Sequence, residues 1–351
     1  MSILGLHHIT AVCSSAQRTV NFYTKVLGLK LVKKTVNFDA VNTYHLYFGD
    51  DVGSPGSLVT FFEWPDAPKG RWGIGTTHHL AFLTETEEAQ LKWKRWLTDH
   101  GVNVTGPYNR TYFRSIYFTD PDGLILEIAT RSPGWTVDES ADRLGMNVIL
   151  PPEELTHRGR DENAIAATTW PEPVAEISPD MSLQRLHHIS AMSSDIFRTT
   201  DFYTEVLGFK VVKRTVNYDD TSWPHFYFAV GDYSPGTVVT YFGYGANVMR
   251  YGTIGIGLTH HMAFAVQDAE IQFEWREKLL SKGVQVTQVL DRKYFTSIYF
   301  NDPDGHILEI ATLGPGFLVD EDRRELGTNL MLPEWLEPQR ARIEQELTPL
   351  A

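Results

Sequence analysis

The chain repeats itself, and the repeat restricts its fold more than any other feature. Leu6-His7-His8-Ile9-Thr10-Ala11 returns as Leu186-His187-His188-Ile189-Ser190-Ala191. Phe22-Tyr23-Thr24-Lys25-Val26-Leu27-Gly28 returns as Phe202-Tyr203-Thr204-Glu205-Val206-Leu207-Gly208, and both blocks share an offset of 180 residues. Farther on, Thr77-His78-His79-Leu80-Ala81-Phe82 returns as Thr259-His260-His261-Met262-Ala263-Phe264. Leu126-Glu127-Ile128-Ala129-Thr130 returns as Leu308-Glu309-Ile310-Ala311-Thr312, now at an offset of 182. One unit has been duplicated, and two residues were inserted between its early and late blocks.

Each half divides again. A His-His pair opens an extended run at His7-His8 and again at His78-His79. A helical stretch follows each one. Residues 16–27 carry Val20, Tyr23 and Leu27 on one stripe, and residues 87–100 carry Leu91, Trp93, Trp96 and Leu97. Gly28 and Gly101 stand where a helix C-terminal glycine belongs. Segments rich in Val, Tyr, Phe and Thr, such as 44–49 and 57–63, read as strands. The expectation is an α+β chain of four βαβββ modules near residues 5–64, 75–130, 184–243 and 257–312. They group by sequence as an N-terminal pair in 1–150 and a C-terminal pair in 183–312. Residues 151–182 are proline-rich and acidic and read as a linker or surface-wrapping segment. The extension 313–351 opens by echoing 131–151, with Pro315-Gly316-Phe317 matching Pro133-Gly134-Trp135, and ends in a helical packing stretch.

Strand alternation chooses among the histidines. His188 shares a face with Ser190, while His187 lies with Ile189 and Ala191; His8 likewise lies with Thr10, and His261 with Ala263. The apolar face belongs under the helix, so the second histidine of each pair faces the open side of the sheet. Asp302-Pro303-Asp304-Gly305 suits a type I turn with glycine in the left-handed region, a tight hairpin. That register sets Tyr299 opposite Glu309. The copy Asp120-Pro121-Asp122-Gly123 reads the same way, as a turn and not a metal loop. A glutamate within Ile307-Leu308-Glu309-Ile310-Ala311 needs a partner, because an ionised carboxylate is costly to bury alone.

A divalent cation is such a partner. Two imidazoles and a carboxylate are the ligand set of non-haem Fe(II) sites with open positions, and zinc accepts the same set. Arg292 and Tyr299, with their copies Arg110 and Tyr117, are candidates for holding an anionic oxygen and donating a proton. His45 and His225 lie in aromatic strands and read as hydrogen-bonded core residues.

Charge narrows the function further. Lys plus Arg number 31 against 44 Asp plus Glu, a net −13, which speaks against binding nucleic acid or an anionic membrane. The single cysteine, Cys13, fits a reducing compartment. The opening residues lack the pattern of a signal peptide, and no apolar run is long enough to span a bilayer. A cytoplasmic protein is expected.

The quadruple βαβββ pattern, the strand-opening histidines and the Asp-Pro-Asp-Gly-x-x-x-Glu endings resemble the vicinal oxygen chelate superfamily of glyoxalases, fosfomycin-resistance proteins and extradiol dioxygenases. Leu6-His7-His8-Ile9-Thr10, Tyr44-His45-Leu46-Tyr47-Phe48 and Ser54-Pro55-Gly56 resemble one branch more narrowly, the ring-cleaving dioxygenases acting on hydroquinones. The resemblance implies Fe(II), with Mn(II) or Zn(II) as alternatives, O2 as co-substrate and a small dihydroxylated aromatic substrate, hence a place in aromatic catabolism. It implies that modules one and four together supply the metal ligands His8, His261 and Glu309, with His7, Thr10, His260, Arg292 and Tyr299 around them. Catechol-cleaving relatives would instead draw on modules three and four, giving His188, His261 and Glu309. The mirror set His79, His188 and Glu127 is complete in this sequence and is a candidate second metal site. Only the resemblance ranks the His8 set first. Two other classes share the scaffold: a glyoxalase-like or thiol-transferring metalloenzyme, and a metal-free binding or resistance protein. Whether the chain forms a homo-oligomer is left open.

Overall fold

The structure is a computed structural model that describes residues 2–350. Four modules repeat one order of elements. The first is β1 (Gly5–Cys13), α1 (Ala16–Asn21), β2 (Lys30–Asn37), β3 (Ala40–Gly49) and β4 (Leu58–Glu63). The second is β5 (Thr77–Thr84), α2 (Glu87–Asp99), β6 (Thr105–Asn109), β7 (Arg114–Thr119) and β8 (Ile125–Thr130). A short α3 (Glu162–Ala167) lies in the linker. The third is β9 (Leu186–Ser193), α4 (Ile196–Asp201), β10 (Lys210–Val216), β11 (Pro224–Ala229) and β12 (Val238–Gly243). The fourth is β13 (Thr259–Val266), α5 (Ala269–Ser281), β14 (Leu290–Asp291), β15 (Thr296–Asn301) and β16 (Ile307–Thr312), and α6 (Arg340–Glu346) follows.

Local chemistry sets the helix boundaries. Thr86 and Asp268 cap α2 and α5 by accepting the Ala89 and Ile271 N–H groups, satisfying donors that the first turn leaves free. Gly101 and Gly283 follow the two helices at φ +77° and +78°, where a side chain would be strained. Both α1 and α4 run on into a π-helical turn, Phe22–Val26 and Phe202–Val206, so Tyr23 and Tyr203 reach the core at matching places.

The modules form two eight-stranded sheets in the orders β14-β15-β16-β13-β1-β4-β3-β2 and β10-β11-β12-β9-β5-β8-β7-β6. Modules one and four thus share one sheet, and modules two and three share the other. The sheets do not follow the two halves of the sequence. In each, the opening strands of two modules pair antiparallel at the centre, β1 with β13 and β5 with β9. Each sheet curls into a cup. A large apolar core backs the sheets, where Trp93, Leu97, Phe82 and Ile128 of module two exemplify the helix-to-sheet packing.

The cups are clasped to each other symmetrically. The Leu6 N–H donates to the Gly236 carbonyl and the Leu186 N–H to that of Gly56, each at 2.8 Å. Asp122 in the β7–β8 turn accepts from the Ser14 N–H at 2.9 Å and hydroxyl at 2.7 Å and pairs with Arg18. Asp304 does the same with Ser194 and Arg198. The Asp-Pro-Asp-Gly runs are hairpin turns, as read from sequence, and they also tie one sheet to the other.

The segments following β8 and β16 each return across their own cup. Lys33 on β2 is wholly buried and meets Asp320 at 2.7 Å and Glu321. Lys213 on β10, equally buried, meets Asp138 and Glu139, each at 2.6 Å. The linker wraps α2, where Lys94 donates to the carbonyls of Ile165, Ala166 and Thr168. No helix among the described residues is long and apolar enough to cross a membrane.

Candidate metal centre

Four β-bulges build the two sites. Pairing slips by one residue at each His-His pair: Leu6 faces Phe264 but His8 faces Ala263, and Thr10 faces His261 but Ala11 faces Thr259. The same slips occur between β5 and β9, at His78 and His187. The first histidine of every pair is therefore the extra residue of a bulge, and it escapes the alternation that would send it under the helix. Its ring instead turns beside its neighbour. His7 Nδ1 lies 2.9 Å from His8 Nδ1, and the other three pairs repeat the contact at 2.8 Å.

For the first pair the tautomers follow. His7 Nε2 lies 3.1 Å from the Thr312 carbonyl, which can only accept, so His7 carries its proton on Nε2. Burial beside His8 lowers the His7 pKa to about 3, so the ring is neutral and its Nδ1 accepts. His8 must then donate from Nδ1, leaving its Nε2 lone pair free. A ligand imidazole oriented through its other nitrogen is the usual second layer of a metal site.

Three ligand atoms converge. His8 Nε2 and His261 Nε2 are 3.2 Å apart, and they lie 3.3 and 3.0 Å from Glu309 Oε2. Metal–nitrogen bonds of ~2.1 Å at right angles put neighbouring ligand atoms ~3 Å apart, the spacing found here. Glu309 is fully buried; its Oε1 accepts from the Ser297 hydroxyl, and its Oε2 faces only the Nε2 atoms of His8 and His261. Burial alone would raise this carboxyl, but His8 and His261 outweigh it and hold Glu309 well below the usual range. A carboxylate kept ionised in the interior, with one oxygen held between two imidazole nitrogens, fits a divalent cation.

The second cup matches it. His79, His188 and Glu127 are buried and close enough to share an ion. The Nε2 atoms are 3.2 Å apart, and Glu127 Oε2 lies 2.8 Å from His79 and 3.4 Å from His188. The alternative grouping of His188 with His261 and Glu309 does not form, because those residues lie in different sheets.

The remaining sequence candidates surround the first triad. Tyr299 pairs across strands with Glu309, as the turn register requires, and sets its ring edge-on to His261. Arg292 lies over the Tyr299 ring at 5.3 Å and bonds Asp39 at 3.2 Å. Burial, with Glu309 adding to it, raises the Tyr299 hydroxyl far above neutrality, so it stays a donor. Thr10 bonds Thr60 at 2.7 Å, and Thr60 in turn meets His45 Nε2 at 2.9 Å. His260 holds His261 and packs against Phe62 and Trp64. His45 is hydrogen-bonded, as expected, yet it also lines the cavity over the triad. Sequence reading missed Phe295, whose ring lies 5.3 Å from that of His8, and Asp39, the partner of Arg292. Both sit in loops, where no periodicity points at the site.

Residues 5–128 and 185–310 match the family model for the glyoxalase/bleomycin resistance protein/dioxygenase superfamily. The chain belongs to that superfamily. Within it, the chain is 33% identical to the inferred ring-cleaving dioxygenase MhqO of Bacillus subtilis over 99% of its own length and 96% of the relative's. It is 28% identical to the chlorohydroquinone/hydroquinone 1,2-dioxygenase of Sphingobium indicum, covering 95% and 92%. The crystal structure of an inferred dioxygenase from B. subtilis superposes with a TM-score of 0.80 at 32% identity, covering 100% of this chain and 98% of that one. The two-cup arrangement is thus shared with a dioxygenase-type member of the superfamily along its full length.

Proposed function

We propose that the protein is an Fe(II)-dependent dioxygenase that opens the ring of a hydroquinone- or catechol-type substrate, with His8, His261 and Glu309 holding the metal. The observation that carries this reading is the buried Glu309 Oε2, which faces only the Nε2 atoms of His8 and His261 at ligand spacing. Full-length similarity to ring-cleaving relatives supports the reaction class. Two neutral imidazoles and one carboxylate leave Fe(II) with one net positive charge and open positions for substrate oxygen and O2. Bound there, the metal supplies electron exchange between the ring and O2.

The chain's own residues do the rest. Arg292, charged and above the triad, holds the ionised oxygen of the substrate. Tyr299 donates to oxygen as charge develops on it. His45, kept neutral by burial, is positioned to exchange a proton through Thr60 or Tyr47. Phe62 and Phe295 flank the recess and exclude water from the ring.

The test is anaerobic reconstitution with Fe(II), followed by oxygen uptake on adding hydroquinones or catechols. Uptake of one O2 per ring opened is expected. No uptake with any dihydroxybenzene overturns the reading, and turnover of thiol adducts with Zn(II) or Mn(II), indifferent to oxygen, would replace it with a glyoxalase-like one.

A further inference from the structure

The second cup is not a decayed copy of the first. Its three candidate ligands are present, and Glu127 repeats every feature of Glu309: full burial, Oε1 taken by a serine hydroxyl (Ser115, 2.5 Å), and Oε2 held between two imidazole nitrogens. An ionised carboxylate buried among neutral rings costs several kcal/mol unless a positive charge joins them, and a degenerate site would be expected to have shed it. Arg110 and Tyr117 stand as Arg292 and Tyr299 do, and Arg110 bonds Asp219 at 3.0 Å where Arg292 bonds Asp39.

The walls differ. In the first cup a recess of about 30 Å³ over the triad adjoins a hollow of about 320 Å³ that also reaches His261 and Tyr299, so the two cups offer similar room. In the second cup one continuous cavity of about 300 Å³ reaches His79 and His188. Its wall carries Tyr108 where the repeat has Leu290, and Tyr218 where it has Phe38. Arg160 from the linker closes one side, stacked over Tyr108 at 4.2 Å and bonded to Asp219 at 2.5 Å, whereas Arg342, at the matching place in the repeat, pairs with Glu346 and does not line the first cup.

We propose that the chain holds two metal centres, and that the second, His79–His188–Glu127, acts on a more polar dihydroxylated ring than the first. The metal half stands on the geometry above; the substrate half rests on the ring-cleaving reading. The reaction is the same in both cups. One ring C–C bond breaks, both atoms of O2 bond to the two carbons released, the diol supplies the four electrons, and the metal returns to its starting state.

Co(II) is the probe for the metal half. Anaerobic titration of the metal-free protein, followed by visible absorption, should end near two equivalents per chain. Glu309→Gln and Glu127→Gln, nearly isosteric changes, should each end near one. The wild-type endpoint needs no variant to fold. An endpoint of one that Glu309→Gln abolishes and Glu127→Gln preserves overturns the inference and leaves the first centre standing. For the substrate half, Fe(II)-loaded Glu309→Gln is offered carboxyhydroquinone and unsubstituted hydroquinone. Oxygen uptake at least ~10-fold faster with the carboxylated ring, per kcat/KM, supports the assignment. A preference for the unsubstituted ring, or no uptake by Glu309→Gln while wild type consumes O2, overturns it. Two bound metals with no uptake by any form would sink the ring-cleaving reading but not the pair of centres.

Discussion

The proposed ligand histidines each lean on a neighbouring histidine that stands outside the proposed ligand set. If His7 fixes the His8 tautomer, His7→Phe should fold, because the ring volume is similar and the site is apolar on one side. It should still bind metal at the His8 centre 10–100-fold more weakly, measured by competitive Co(II) titration. Tyr299→Phe removes only a hydroxyl. It should keep metal binding and lower kcat by roughly 10²–10⁴-fold, with KM little changed, if that hydroxyl donates during ring opening. Equal loss in KM alone would make it a binding group. Much of this residue-level detail could be read from the chain. Alternation named His8, His188 and His261, and turn register put Tyr299 beside Glu309. What alternation could not give is the position of His7: a bulge is one residue too many in one strand, and a single sequence carries no sign of which pairing slips.

At the scale of elements, the two extensions are seam closures. A buried lysine on an inner strand meets an acidic pair that arrives nearly 290 residues later in one cup and about 75 residues earlier in the other. Lys33→Met leaves Glu321 buried without its cation. It should destabilise the protein by about 3–5 kcal/mol, read from urea unfolding, whereas replacing Lys33 and both acids together should cost less. The repeat made these segments visible as an echo, Pro315-Gly316-Phe317 after Pro133-Gly134-Trp135, but not their purpose. Lysine in a strand reads as solvent-facing, and only the return of the chain over the cup buries it.

Across the whole molecule, burial has placed an unusual number of neutral imidazoles in the interior. His7, His78, His187 and His260 are all lowered to about 3 by desolvation, with the adjacent histidine adding to it in each case. An unfolded chain protonates them near pH 6.5. Below that pH the unfolded state takes up protons that the folded state refuses until about pH 3, so stability falls as pH falls through this window. Glu127 and Glu309, held low, add to the loss once the unfolded carboxylates begin to protonate. Urea midpoints of the metal-free protein should therefore drop steeply from pH 7 to pH 5; a flat profile would contradict neutral buried rings. That four modules exist was plain from the repeat. Their partnering was not, since four similar opening strands could pair in several ways and local pattern does not choose among them.

The pairing adopted is nested: modules two and three close on each other inside a pair formed by modules one and four. A ribosome delivers such a fold from the inside out. The inner cup is complete once β12 has emerged, while β1 must wait with its hydrogen-bonding edge open until β13 arrives. His8 precedes Glu309 by about 300 residues, so at 5–20 residues per second the outer cup lags its own first ligand by roughly 15–60 s. During that interval the nascent chain exposes an unpaired apolar strand, and it needs shelter there more than anywhere else in its synthesis.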